Sequence, residues 1–310
     1  MSAASVIICT YNRPVLLRRA VETARAQLLS PGRTAEILVV DNSPESNARA
    51  AMEAMAGEPG LPLRYLLTPI PNISHARNAG IAAASGDFII FLDDDEWCEP
   101  GWLDALIGTA EATEADLVFG AVLPHFPDGP PSWDPTGRSY ERRMALPTGT
   151  RIGIDHDERV SGRWIGTGNS LLRRATCIGP EPAFDPALGA CGGEDYDLFV
   201  RLHAAGRHLA WCGDAVVHEV VPGDRSEVPY MRLRSFRTGQ QWATITIRRA
   251  RQPALTTLWI GFKAAVQLAL VTGQWGWSRL FSRLDTGPRE LKMAEVAGKL
   301  VWWNLRRDTR

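Results

Sequence analysis

Three consecutive aspartates, Asp93-Asp94-Asp95, stand directly behind an apolar run, Phe88-Ile89-Ile90-Phe91-Leu92. Two such carboxylates 4 Å apart repel by about 4 kcal/mol at an effective dielectric of 20. A divalent cation relieves that repulsion, and hard carboxylate oxygens suit Mg²⁺ or Mn²⁺. The alternative is a solvated acidic turn, but the position at the end of an apolar strand favours the metal. A second acidic pair, Glu194-Asp195, follows Gly192-Gly193 where a helical pattern begins. It is a second acidic site, or merely stabilises a helix N-terminus by about 0.3–1 kcal/mol; spacing alone leaves both open. His218, after Ala215-Val216-Val217, is a third metal ligand or a strand-end histidine.

These groups need elements to position them. Apolar runs at 5–9, 36–40, 63–67 and 87–92 read as strands, and Thr10-Tyr11-Asn12-Arg13 and Asp41-Asn42-Ser43 close the first two. Pro14 opens a helical pattern with Leu17, Ala20, Val21, Ala24 and Leu28 on one face. A second helix is expected over 74–84. Strands that are apolar throughout and alternate with helices predict an α/β fold with a mostly parallel sheet covered on both faces. In such sheets ligands bind beyond the carboxyl ends of the strands, where the polar residues above cluster. A helix over 101–112, a strand over 116–122, a Pro/Gly-rich loop over 125–137 and a helix over 194–205 follow, then short strands at 208–212 and 215–217. From about residue 230 the chain turns Arg- and Trp-rich and helical, with a boundary expected near Val228.

The 310 residues are 45% hydrophobic and 22% charged, which excludes a disordered chain. The net charge of −1 hides an asymmetry: residues 225–310 carry +11 and the first 224 carry −12. Five scattered cysteines without a C-x-x-C argue against a disulfide framework or zinc site and for a reducing compartment. The N-terminus has no signal-peptide pattern. The nearest approach to a spanning helix, 254–273, is interrupted by Lys263 and Gln267, so a cytoplasmic location is expected. The basic, Trp-rich tail has the composition of helices lying in an anionic membrane interface, the alternative being a helical cap on the catalytic body. No nucleic-acid-binding signature accompanies its charge.

The motifs CTYNR, VVDNS, ARNAGIAAASGDFIIFLDDDE, GTGNSLLRR, GGEDYDLFVRL and AVVHE, in that order, resemble the inverting family 2 glycosyltransferases of the GT-A fold. PNISHARN, FLDDDEW and RSFRTGQQW are similar to the subgroup containing succinoglycan-biosynthesis glucosyltransferases. The resemblance covers residues 5–242. It implies that Thr10, Tyr11, Arg13 and Asp41 line the base and ribose, Asp41 accepting from a uracil N–H. Arg77 and Asn78 would lie near the diphosphate. Asp93 and Asp95 would match the metal-binding D-x-D positions, Asp95 the more direct ligand and Asp93 nearer the ribose and sugar, with Asp94 among the nucleotide-sugar contacts. Asp195 would be the catalytic base, Glu194 its neighbour that orients it or holds the acceptor, and His218 the residue completing the metal site. Arg234 and Arg237 would grip the diphosphate. Asn169 is either a sugar contact or a turn residue, and Trp133 and Trp164 are either sugar platforms or core; Trp97 and Trp102 read as structural.

The implied organisation is a nucleotide-sugar-binding half over 1–100, an acceptor-binding and catalytic half over 101–228, and a helical C-terminal region over 229–310. The implied function is hexose transfer from a nucleotide diphosphate sugar, UDP by resemblance, to a hydroxyl of a saccharide or lipid-linked saccharide, with Mg²⁺ or Mn²⁺, on the inner face of a cytoplasmic membrane. The competing functions are a sugar-phosphate nucleotidyltransferase, which normally carries a Gly-rich loop with a lysine that is missing here, and a non-catalytic glycan- or lipid-binding protein.

Overall fold

The structure is a computed structural model that describes residues 2–154, 165–281 and 287–304. Its first elements are β1 (Ser2–Thr10), α1 (Pro14–Arg25), β2 (Arg33–Asp41), α2 (Arg49–Ala56), β3 (Leu63–Leu67), α3 (Ile73–Ala83) and β4 (Phe88–Asp93). They are followed by β5 (Glu96–Cys98), α4 (Trp102–Ala112), β6 (Leu117–His125), β7 (Arg151–Ile152), β8 (Ser170–Arg173), α5 (Arg174–Cys177), α6 (Glu194–Ala204) and β9 (Leu209–Val220). The chain ends in α7 (Gly223–Ser226), α8 (Val228–Arg249), α9 (Pro253–Phe281) and α10 (Gly287–Leu300).

The strands form one sheet in the order β3-β2-β1-β4-β8-β6-β9-β5, with β7 also on β9. The expected α/β architecture is present. β1, β2, β3 and β4 run parallel, and their register places Thr10 opposite Asp41 and Cys9 opposite Asp93. The polar strand ends therefore share one edge. β8 runs antiparallel between β4 and β6, which brings the Gly166-to-Asn169 segment before it to the same edge.

Both faces of the sheet are buried, which explains runs that are apolar throughout rather than alternating. Val6 and Ile8 of β1 pack with Leu17 and Val21 of α1 and with Trp102 and Leu106 of α4. Ile7, between them, joins Ala76 of α3 and Leu198 and Phe199 of α6 on the other face. α1 begins at Pro14, where the missing N–H costs nothing. α3 is capped by Asn72, whose side chain accepts from the Ser74 and His75 backbone N–H groups.

Several elements lack a signal in the sequence. The three-residue β5 and two-residue β7 are too short to show a period. The two short strands expected at 208–212 and 215–217 are one strand, β9. Its register against β6 jumps from Cys212 to Val216 between Gly120 and Ala121, so the intervening Gly213-Asp214-Ala215 is a bulge and not a break. The five cysteines are free.

The chain divides into two compact units. The first holds residues up to His125, Glu141–Ala190 and Glu194–Val220. The second holds Phe126–Tyr140, Cys191–Gly193 and Val221–Arg310, and is chiefly helical. Within the second unit α8 and α10 cross so closely that a methyl on Gly239 would strike the Glu295 carbonyl, and one on Gly298 the Phe236 carbonyl. α9 includes Lys263 and Gln267, the polar positions within its apolar run, and Pro253–Gly276 within it has a mean hydropathy of 1.6.

One polar side chain ties the first unit together. Asn169, in the left-handed region at φ 59°, accepts from Trp102 Nε1 at 2.7 Å and donates to the Ala121 and Ala215 carbonyls, each at 2.8 Å. It thus joins α4, β6 and the bulge of β9. Asn169→Ala would leave three buried groups unpaired and is expected to lower unfolding stability by about 3 kcal/mol, read as a shift in the urea midpoint at unchanged slope.

Candidate functional site

Carboxylates and guanidiniums alternate around the carboxyl edge of the sheet. Asp94 is buried just beyond β4, where Thr10 Oγ1 donates to its Oδ2 at 2.8 Å and Arg13 Nη1 to its Oδ1 at 3.0 Å. The same Arg13 nitrogen reaches Asp95 Oδ2 at 2.9 Å. Two of the three aspartates therefore share one arginine from the first strand end. Asp93 remains the open one: its side chain is 42% exposed, with Arg77 Nη2 at 3.8 Å.

Arg77, buried on α3, spans the two acidic groups that the sequence presents separately. Its Nη1 donates to Glu194 Oε1 at 2.6 Å while Nη2 faces Asp93, and its guanidinium lies 5.2 Å from the Phe184 ring centroid. Glu194 is buried at the start of α6, and its Oε2 has no hydrogen-bond partner among the described residues. Burial and the neighbouring Asp195 raise the Glu194 pKa against the opposing pull of Arg77. Asp195 is half-buried, and its Oδ1 accepts from the Tyr196 N–H at 2.6 Å. Its Oδ2 lies 4.0 Å from where a methyl on Gly166 would stand.

Three further residues belong here that sequence reasoning does not single out. Glu96 is buried, accepts from the Asp93 N–H at 3.0 Å, and pairs with Arg142 Nη2 at 2.9 Å. Glu219 stands opposite Glu96 in the β5–β9 ladder and is 3.5 Å from the same Arg142 nitrogen. Arg142, brought in by its bridge to Val122 of β6, also feels the fields of Asp93 and Asp195. Glu96 follows the aspartates and Glu219 follows His218, so both had a positional signal. Arg142 had none. Gly168 completes the cradle, since a methyl there would lie 2.6 Å from Asp93 Oδ2 and 2.7 Å from Glu96 Oε1.

The remaining candidates separate into two groups. Tyr11 is exposed beside the strand end. Asp41 is buried, with Oδ1 accepting from the Ser43 N–H and hydroxyl and Oδ2 from the Ala48 N–H and Tyr65 hydroxyl. A nucleobase N–H reaching it would have to displace one of those four donors. Asn78 pairs twice with the Phe184 backbone, at 2.7 and 2.9 Å, and Asn169 is the buried clamp already described; both are engaged in structure. His218 is turned by strand alternation away from Glu219. It stacks on Trp97 with ring centroids 5.1 Å apart and meets Glu99 Oε1 at 2.8 Å, while Arg19 covers the Trp97 ring at 3.4 Å.

Arg234, exposed, and Arg237, half-buried, lie on α8 in the second unit. Trp133 belongs there too, donating to the Ser226 carbonyl and packing near Tyr140. Trp164 lies outside the described residues.

Among the described residues no group of three or more His, Cys, Asp or Glu side chains is placed to hold a metal ion. The donor chemistry nevertheless fits a hard cation. Burial, Glu219, Asp94 and Asp93 together push the Asp95 pKa up to about 7, a crowding of negative charge that a divalent ion relieves.

The pattern "Glycosyl transferase family 2" matches residues 5–166 of the chain. The succinoglycan biosynthesis protein ExoM of Rhizobium meliloti is 36% identical over 245 residues, covering 78% of this chain and 75% of that protein. The glycosyltransferase AglE of Haloferax volcanii is 33% identical over 314 residues, 96% of this chain and 95% of that one. Among solved structures, S. aureus TarS 1-349 in complex with UDP aligns over 98% of this chain and 91% of its own, with a TM-score of 0.57 and 14% identity, a likeness of fold.

The raised Asp95 pKa has a sign that stability can test. A buried acid raised from 3.8 towards 7 favours the folded state while protonated and burdens it once ionised. In buffer with a chelator, Asp95→Asn is expected to gain stability relative to wild type as pH rises from about 4 to 7. The measure is the difference in urea midpoints across that range, and a constant difference would refute the assignment.

Proposed function

The chain belongs to glycosyltransferase family 2, and from that membership and the geometry of the carboxylates we propose that it transfers a hexose from a UDP-sugar to a saccharide hydroxyl in a single displacement with inversion. Family membership sets aside the nucleotidyltransferase and non-catalytic readings. The observation that carries the proposal is Arg77, which holds a helix-borne carboxylate pair beside, yet distinct from, the aspartates of β4. The reaction needs such a division, with one acidic group for the cation and diphosphate and another for the acceptor proton.

In this reading Asp195 is the base. Its Oδ1 is fixed by the Tyr196 N–H, which leaves Oδ2 to take the proton from the attacking hydroxyl as the new bond forms. A carboxylate so positioned contributes about 10²–10⁴-fold. Glu194, locked through Oε1 to Arg77, offers its unpartnered buried Oε2 to an acceptor O–H, a contact that would orient the sugar. Thr10, Tyr11 and Arg13 border the nucleotide, with Asp41 shaping the loop beneath it, and Arg77 faces the diphosphate.

Asp93, the open carboxylate, and Asp95 would hold Mg²⁺ or Mn²⁺; the charge of Glu219 acts on Asp95, while His218 is engaged by Glu99. Seven carboxylates (Asp93, Asp94, Asp95, Glu96, Glu194, Asp195 and Glu219) surround three guanidiniums (Arg13, Arg77 and Arg142). So acidic a site repels a polyanionic diphosphate unless a cation lies between them. When bound, the ion would stabilise the charge developing on the leaving diphosphate as a Lewis acid. Arg234 and Arg237 remain candidates for the diphosphate, and the acceptor fits a saccharide or lipid-linked saccharide offered at the cytoplasmic face of a membrane.

Asp195→Asn is expected to lower kcat by about 10³-fold while the donor KM stays within a few-fold; undiminished turnover would remove Asp195 as the base. Asp95→Ala is expected to abolish the Mn²⁺-dependent part of UDP binding in titration calorimetry, and an unchanged affinity would remove Asp95 as a ligand.

A further inference from the structure

In the second unit one helix face has no partner within the described residues. Leu255, Leu258, Trp259, Phe262, Val266 and Leu270 of α9 are each between 45% and 70% exposed. Their spacing of three and four residues draws them into a single stripe about 22 Å long at 1.5 Å per residue. Scattered exposed leucines are ordinary, but a continuous apolar stripe of this length marks an interaction surface. The opposite face is engaged: Ile260 is buried with Ala243 and Ile247 of α8 and packs near Trp242 and Trp302, and Ala264 is buried as well.

The geometry points to the stripe as the surface that enters one leaflet of an anionic bilayer, with α9 lying in the membrane plane. This rests on the proposal that the chain works at a membrane, and names the residues and orientation. Charge selects the occupant. No Asp or Glu occurs from residue 253 to 276, Lys263 sits on the exposed side with Nζ 5.3 Å from the Trp259 ring centroid, and Arg251 is exposed just before the helix. Apolar contact, an interfacial tryptophan and flanking cations are what an acidic lipid surface attracts.

Packing selects the orientation. Pro253–Gly276 has the length and hydropathy to cross a bilayer, yet only 11% of its most apolar stretch is buried. Its inner face rests on α8 and α10, which carry Arg248, Arg249, Lys292, Glu295 and Lys299. A crossing helix would have to leave those partners or draw their charges into hydrocarbon. An in-plane helix keeps both its partners and its exposed stripe satisfied.

The test is flotation of the full-length chain with vesicles of phosphatidylcholine containing one quarter phosphatidylglycerol, beside the double variant Leu258→Glu, Phe262→Glu. Both positions are exposed, so the variant should fold. The expected result is that wild type floats, alkaline carbonate releases it, and the variant binds at least tenfold more weakly while its UDP release with a soluble acceptor equals that of wild type. Equal flotation of the two proteins overturns the proposal, and so does carbonate-resistant binding, which would mean a spanning helix. Wild type that fails to float but self-associates in light scattering, with the variant monomeric, overturns it in favour of a second copy as the occupant. Flotation without any sugar transfer would support the docking surface while refuting the catalytic reading.

Discussion

A guanidinium buried between two carboxylates on different elements is the contact around which the candidate site is organised. Arg77 on α3 reaches Glu194 at the start of α6 and faces Asp93 at the end of β4. Burying a charge is costly unless it is paired, so α3, α6 and β4 are constrained to meet in the one arrangement that satisfies it. Asn78, one residue along α3, reinforces that arrangement through its double hydrogen bond to the Phe184 backbone. The candidate site and the packing of α3 therefore share a helix turn.

The same logic extends outward. Arg13 pairs with both Asp94 and Asp95 from the end of β1, and Arg142 pairs with Glu96 and Glu219 from the loop after β6. Each arginine enters from a different segment, and together they leave Asp93 the least covered. An aspartate triplet that would repel itself in isolation is held at close range by arginines, and burial, with the remaining negative charge of its neighbours, raises the Asp95 pKa. The glycines at 166 and 168 allow the segment before β8 to press against this shell, because side chains there would collide with Arg142 and Asp93.

The second unit obeys a different constraint. Its helices α8 and α10 meet through Gly239 and Gly298 at backbone distance, while α9 gives one face to them and leaves the other bare. The near-neutral net charge thus averages an acidic stretch over residues 1–224 and a basic, chiefly helical one over 225–310.

Much of the fold was legible in the sequence because the relevant physics is local. Apolar runs buried on both faces need no partner to be recognised, Pro14 marks a helix start, and aspartates at a strand end point to the carboxyl edge of a parallel sheet. The family motifs rest on the same short-range patterns. What tertiary structure alone decided was which polar groups remain available at that edge. Asn169 and Asn78 stand in the right motifs but spend their hydrogen bonds on backbone, Asp41 is surrounded by four donors, and His218 is turned from Glu219 by the two-residue period of β9. Arg142 has no neighbouring pattern at all, and it joins the site because an antiparallel bridge carries it there. Residue type and spacing determine what a side chain is able to do; the partners that already occupy it depend on contacts across a hundred residues, which no local pattern encodes.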